Sequence, residues 1–144
     1  MTSTAVSAQG SKFYIDTAAD GAAQPTWTKT KNVKSYSGFD GSASEIDVTD
    51  LDSTAKEKRL GLIDNGSFSI DVNVDMTDPG QIALKAAQKA SSLQSFKLEY
   101  PDGSADTFDG FVKSFPIAGG TDAVITSTIT LTISGPVTTV AAGA

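Results

Sequence analysis

From residue 67 to residue 76 the chain alternates without a break. Phe68, Ile70, Val72, Val74 and Met76 fall on one side, and Ser67, Ser69, Asp71, Asn73 and Asp75 on the other. A period of two predicts a β-strand with one face in a core and the other in a polar setting. A shorter copy of the pattern at 45–49 sets Ile46 and Val48 against Glu45, Asp47 and Thr49, and another at 95–100 turns Phe96, Leu98 and Tyr100 inward. Residues 124–134 predict a long strand with Ile125, Ile129, Leu131 and Ile133 on one side and Thr126, Thr128, Thr130 and Thr132 on the other. Further strands are expected at 12–16, 27–33 and 107–115, with turns at 37–42, 101–103 and the Gly119-Gly120 pair. The economical pairing makes 45–49 and 67–76 antiparallel neighbours, joined by a long loop over 50–66.

One segment breaks the period. Asp78-Pro-Gly-Gln81 combines an N-cap aspartate, a proline at the first helical position and a glutamine at the third, a capping-box-like start for a helix over about 78–91. Its expected buried side is Ile82, Ala83, Ala86, Ala87 and Ala90, with Lys85, Gln88 and Lys89 towards solvent. A lone helix covers only part of one sheet. The expectation is therefore a mostly β, antiparallel sandwich or barrel-like domain over 12–135 with one flanking α-helix. Residues 1–11 read as a flexible arm and 136–144 as a small-residue tail outside the domain. The threonine row and the Asp71 face are too regular for an ordinary surface and point to contact with water or another subunit.

Composition narrows the chemistry. The chain has no cysteine and no histidine, which removes disulfides, the usual metal ligands, and the thiol and Ser/His nucleophile systems together. With 11 basic against 17 acidic residues and a net charge of −6, it lacks the clustered cations that phosphate binding requires. The first ten residues do not form a secretory signal, and no run is long and apolar enough for a membrane helix, so a cytosol-like compartment is expected. No cofactor is expected.

The charged segment 47–66 invites a metal site, because Asp47, Asp50, Asp52 and Glu57 follow in quick succession. The spacing fails: counted from Asp50, the sixth position of a calcium loop is Ala55 where glycine is needed, and the twelfth is Gly61 where a bidentate glutamate is needed. Asp71 with Asp75, or Asp102 with Asp106, has the residue types of a glycosidase pair but no sign of burial. A hydrogen-bonding or repulsive role is the better reading of both. No nucleophile elbow or phosphate-binding loop is present, and Trp27, Phe108, Phe111 and Phe115 read as core, so the chain is not expected to be an enzyme. Inside the same segment Lys56, Lys58 and Arg59 stand beside Leu60, Leu62 and Ile63. Mixed charge with apolar residues suits a docking surface that sets register by ion pairs and holds by burial.

Three stretches carry a resemblance. Residues 47–58 followed by Gly61-Leu-Ile-Asp-Asn-Gly66, the 110–117 stretch Gly-Phe-Val-Lys-Ser-Phe-Pro-Ile, and the 128–135 stretch Thr-Ile-Thr-Leu-Thr-Ile-Ser-Gly resemble the tail tube (major tail) proteins of long-tailed, non-contractile bacteriophages. The resemblance spans about Phe13 to Gly135. It implies a β-sandwich with a flanking helix, related to the tubes of contractile tails and type VI secretion, whose subunits form hexameric rings stacked into a tube for genome passage. It also implies that Asp50, Leu51, Asp52, Lys56, Glu57, Lys58, Arg59, Leu60, Leu62 and Ile63 belong to a loop reaching another subunit or ring. The implied partners are further copies of the chain, a tape-measure protein and initiator or terminator proteins, in a virion tail assembled in the host cytoplasm. Some members carry an added immunoglobulin-like domain, which this sequence does not contain. Ser69, Asp71, Asn73 and Asp75 are the expected lumen-facing residues, the negative charge of the two aspartates keeping DNA from sticking. The alternative from another class is a small β-sandwich decoration or binding module of a virion or cell surface, which predicts a species that does not polymerise.

Overall fold

The computed structural model describes residue 7, residues 9–18 and residues 24–141. Ten strands and one helix follow in order: β1 (Lys12–Asp16), β2 (Trp27–Thr30), β3 (Val33–Gly38), β4 (Ser42–Asp47), β5 (Lys58–Asp64), β6 (Ser67–Asn73), α1 (Pro79–Ala90), β7 (Gln94–Glu99), β8 (Ala105–Ser114), β9 (Ala118–Gly120) and β10 (Ala123–Val140). The main sheet runs β2-β1-β7-β8-β10-β6-β3, with β9 paired to β10, while β4 and β5 form a two-stranded sheet of their own. Most of the expected N-terminal arm lies outside the described residues.

The main sheet is rolled, and its aromatic residues show how far. β1 and β6 are four strand steps apart, about 19 Å across a flat sheet at ordinary spacing. Yet the Phe13 and Phe68 rings stack with centroids 5.6 Å apart, and Phe96 and Phe108 continue the same cluster. Inward residues of β1, β6, β7, β8 and β10 therefore meet in one core, joined by Leu84 and Ala87 of the helix. The expected barrel-like, mostly antiparallel fold is what forms.

Helix α1 closes the core from the side of β1, β2 and β8. Asp78 caps it, its Oδ2 accepting from the backbone N–H of Gln81 at 3.1 Å and from that of Lys31 at 3.0 Å. Gly80 permits the close approach: a Cβ there would stand 2.5 Å from the Lys29 carbonyl oxygen and 2.6 Å from Thr30 Cα. Gln81 does not complete a capping box. It is fully buried, its Oε1 accepts from Asp75 N–H at 2.8 Å, and its Nε2 donates to the carbonyls of Lys31 and Asn73. The buried side of the helix is Gly80, Gln81, Leu84 and Ala87, whereas Ile82 is exposed. The expected alanine face was rotated, because the tether at Gln81 fixes which side meets the sheet.

Other expectations change with the pairing. Strand β6 does not pair with 45–49: it lies between β3 and β10, and β4 turns back on β5. The segment expected as a loop over 50–66 is thus the tip and second strand of a hairpin. The predicted strand 67–76 ends at Asn73, with Asp75 in the turn before the helix. Nor does β10 stop at Ser134. After a bulge at Gly135 (φ +89°) it pairs with β8 through Val140, so 136–140 of the expected tail belong to the sheet. Phe108 and Phe115 are core as expected, but Phe111 is exposed and Trp27 only half-buried, its ring 5.7 Å from Lys97 Nζ on the outer face.

Candidate assembly surfaces

The β4–β5 hairpin is an arm standing off the rolled sheet. Its backbone follows the ladder Asp47↔Lys58, Ile46↔Arg59 and Glu45↔Leu60, so Ile46, Arg59 and Ile63 share one face while Leu60 and Leu62 share the other with Glu45 and Lys58. Neither face is covered: Leu51 is 105% exposed, Leu62 96%, Leu60 70% and Ile63 67%. A small isolated hairpin with apolar residues on both faces gains little on its own, and such an exposed patch marks an interaction site.

The tip is ordered by its own polar groups. Val48 N–H donates to the Glu57 carbonyl, and Glu57 N–H donates to Thr49 Oγ1 at 2.8 Å. Ser53 Oγ lies 2.8 Å from Glu57 Oε2 and 3.1 Å from Asp50 Oδ1, while Asp52 N–H donates to Asp50 Oδ1. Ion pairs Lys58–Glu45 at 3.1 Å and Lys56–Asp47 at 3.6 Å bridge the strands. Exposed pairs of this kind contribute little stability but hold register. Hydrogen bonds from Thr49, with Lys56 nearby, keep the Asp47 carboxyl below the usual carboxylate range. The acids of the arm do not converge, and no cluster of metal-ligating side chains occurs among the described residues.

The root of the arm was not legible as a motif. Asp40 Oδ1 accepts from Ser67 N–H at 2.9 Å, Asp64 Oδ1 from Gly66 N–H at 2.9 Å, and Asn65 Nδ2 donates to the Gly135 carbonyl at 2.8 Å. Gly66 has φ +77°, and a Cβ there would stand 2.2 Å from Asp40 Oδ1. These contacts fix the arm's exit from the sheet. The Asx and glycine pattern 39–41 and 64–66 signals only turns; the partner at Gly135 comes from the fold.

The second surface is the polar face of β3, β6 and β10. Register sets Ser35, Asp71 and Thr128 in one row across the three strands, with Ser37, Ser69 and Thr130 in the next. Asp71 Oδ1 accepts from Thr128 Oγ1 at 2.6 Å and Oδ2 from Ser35 Oγ at 2.8 Å. These two hydroxyl donors, Thr128 before Ser35, hold the Asp71 carboxyl below its ordinary range. Ser69, Asp71 and Asn73 share this face, whereas Asp75 is in the following turn, bonded to Thr77. Asp106 likewise serves Tyr100 and Thr139, and Asp102 serves Ser104, so neither carboxylate pair is arranged for catalysis. Because the folded pKa of Asp71 is depressed, its bonds stabilise the fold above the unfolded-state pKa, and that contribution is lost as pH falls through the folded value. An NMR acid titration should show Asp71 protonating after the carboxylates without hydroxyl donors, and Asp71→Asn should remove that late step; a midpoint in the ordinary range would refute the bonded row.

The fold as a whole has counterparts among known proteins. The family model described as Lambda phage tail tube protein, TTP, matches residues 13–140. This chain belongs to the lambda phage tail tube protein family. It is 28% identical over 125 residues to Structural protein 3 of Pseudomonas phage PAJU2, covering 72% of this chain and 76% of that protein. The rolled sheet superposes on the SPP1 tail tube protein with a TM-score of 0.70 at 13% identity, over 94% of this chain and 78% of that one. It also superposes on the tail of a gene transfer agent particle determined with C6 symmetry, with a TM-score of 0.67 at 17% identity, over 90% and 96% of the two chains. The tail tube protein is a structural component of the virion tail, and its family is not a family of enzymes. No helix among the described residues is long and apolar enough to cross a membrane.

Proposed function

We propose that copies of this tail tube protein assemble into stacked, six-membered rings whose lumen conducts the DNA genome. The observation that carries the reading is the arm, ordered at its tip and fixed at its root yet exposed on both apolar faces. A surface built so firmly and left uncovered is completed by another subunit. The gene transfer agent tail with the same fold has C6 symmetry, which supports the ring number. Ser69, Asp71 and Asn73 face the lumen in this reading, and Asp71, its carboxyl held below the usual carboxylate range by Thr128 and Ser35, repels phosphate at short range so that DNA slides past. Asp75, past the end of β6, belongs to the rim of that face. Tape-measure and initiator or terminator proteins are the expected further partners, met during assembly in the host cytoplasm.

Cryo-electron microscopy of the concentrated protein tests both parts. Stacked hexameric rings with Asp71 towards the lumen are the expected result. Persistent monomers would overturn the assembly, and a tube with the Asp71 row on its outer wall would overturn the lumen assignment alone.

A further inference from the structure

The core side of the sheet runs out of core at one end. On β10, Ile129 and Leu131 are fully buried, but Ile125, on the same side by alternation, is 51% exposed. Its carbonyl accepts from Val74 N–H at 2.8 Å, prolonging the β6–β10 ladder past Asn73. Gly119 of β9 faces Ile125, a Cβ there standing 3.6 Å from Ile125 Cγ1; Ile117, just ahead of β9 and next to the Ala118↔Thr126 pair, is as exposed, and Met76, two residues past Val74, is exposed too. Together they make an apolar lip. The arm roots at the other end of that ladder, where Ile133 N–H donates to the Gly66 carbonyl. Strand β6, seven residues or about 20 Å long, separates the two.

We infer that this lip is the receptor for the arm of a second copy, taking the arm face formed by Ile46, Arg59 and Ile63. The inference rests on the reading that the arm docks on another subunit, and adds where it docks. Two different surfaces at opposite ends of one ladder make a heterologous, head-to-tail contact, which builds a ring where its rotation closes and an open stack where it does not, instead of ending at a dimer. Charge selects the face. Among the described residues Arg59 is in no ion pair, whereas Lys56 and Lys58, its neighbours, are paired within the arm. The lip is flanked by Asp75 and Asp122; the Asp75 carboxylate already accepts from Thr77 Oγ1 at 2.6 Å and from Thr77 N–H at 3.0 Å, which leaves Asp122, exposed in the β9–β10 turn, to meet Arg59. Apolar contact then supplies grip and one charge pair supplies register.

The absence of cysteine makes the test direct. A chain carrying both Ile63→Cys and Ile125→Cys, concentrated and treated with a short bis-maleimide, should give a ladder of covalent multimers, while each single substitution should stop at dimers. Arg59→Glu or Asp122→Arg alone should lower tube yield about tenfold, by the cost of a like-charge contact, and the double exchange should restore it. Tubes that form without the ladder, or are indifferent to both charge changes, would overturn the receptor assignment while leaving the arm's role intact. Tubes that survive loss of the arm's own leucines would instead overturn the reading beneath it.

Discussion

The double substitution Leu60→Glu with Leu62→Glu is expected to leave a folded monomer that no longer forms tubes. Both side chains are already in water in the single chain, so the folded state loses little, within about 0.5 kcal/mol. In an assembly the same residues would be covered, and burying a leucine contributes about 1.5–3 kcal/mol. Introducing two carboxylates removes that gain and adds the cost of taking unpaired charges out of water. Because the contact recurs at every subunit, the loss multiplies along a tube. Thermal unfolding should be nearly unchanged while negative-stain images and sedimentation show monomers. Tubes of normal length would mean that the arm is not an assembly element, and a collapse of the melting transition would mean that its leucines belong to the subunit's own core.

Gln81→Leu is expected to act in the opposite way, on the fold before the assembly. Its amide satisfies three backbone groups, the N–H of Asp75 and the carbonyls of Lys31 and Asn73, in a fully buried position. Leucine fits the volume but leaves those groups unpaired, each at a cost of about 1–3 kcal/mol. Allowing for shared relaxation, a loss of about 3 kcal/mol and a fall in Tm on the order of 10 °C follow. Gln88→Leu, on a less buried side of the same helix, should change stability by less than about 0.5 kcal/mol. Equal effects of the two substitutions in urea denaturation would refute the tether. The test matters for assembly too, since Gln81 ties β6 and the turn at Asp75 to the helix start.

The strands that carry the core were legible because their physics is local. Phe68, Ile70 and Val72, or Ile129, Leu131 and Ile133, alternate with polar residues, and only a strand puts them on one side. The helix start was legible for the same reason, as Asp78, Pro79 and Gln81 act within four residues. What Gln81 does beyond its own turn was not, because its partners at Lys31 and Asn73 are brought to it by the chain's path between β2, β3 and β6. The arm residues were singled out as a docking element from charge and apolar content, yet their strand was read as a loop. Arg59-Leu-Gly-Leu-Ile63 has no period of two in its polarity, since both faces of the hairpin are apolar. A pattern with no polar face is silent to a test that looks for one.

The sequence by itself determined the local periods, the single helix and its cap, the absence of cysteine and histidine chemistry, and a segment of mixed charge and apolar residues suited to docking. Only the tertiary structure decided that β6 lies between β3 and β10, that the segment folds back on β4 as an arm, and that Asp71 stands between Thr128 and Ser35. The physical reason is range. Alternation and capping are set by neighbours a few residues away, whereas strand order and the rows across strands are set by which apolar faces can share one core, and Phe13 meets Phe68 only when the whole sheet has rolled.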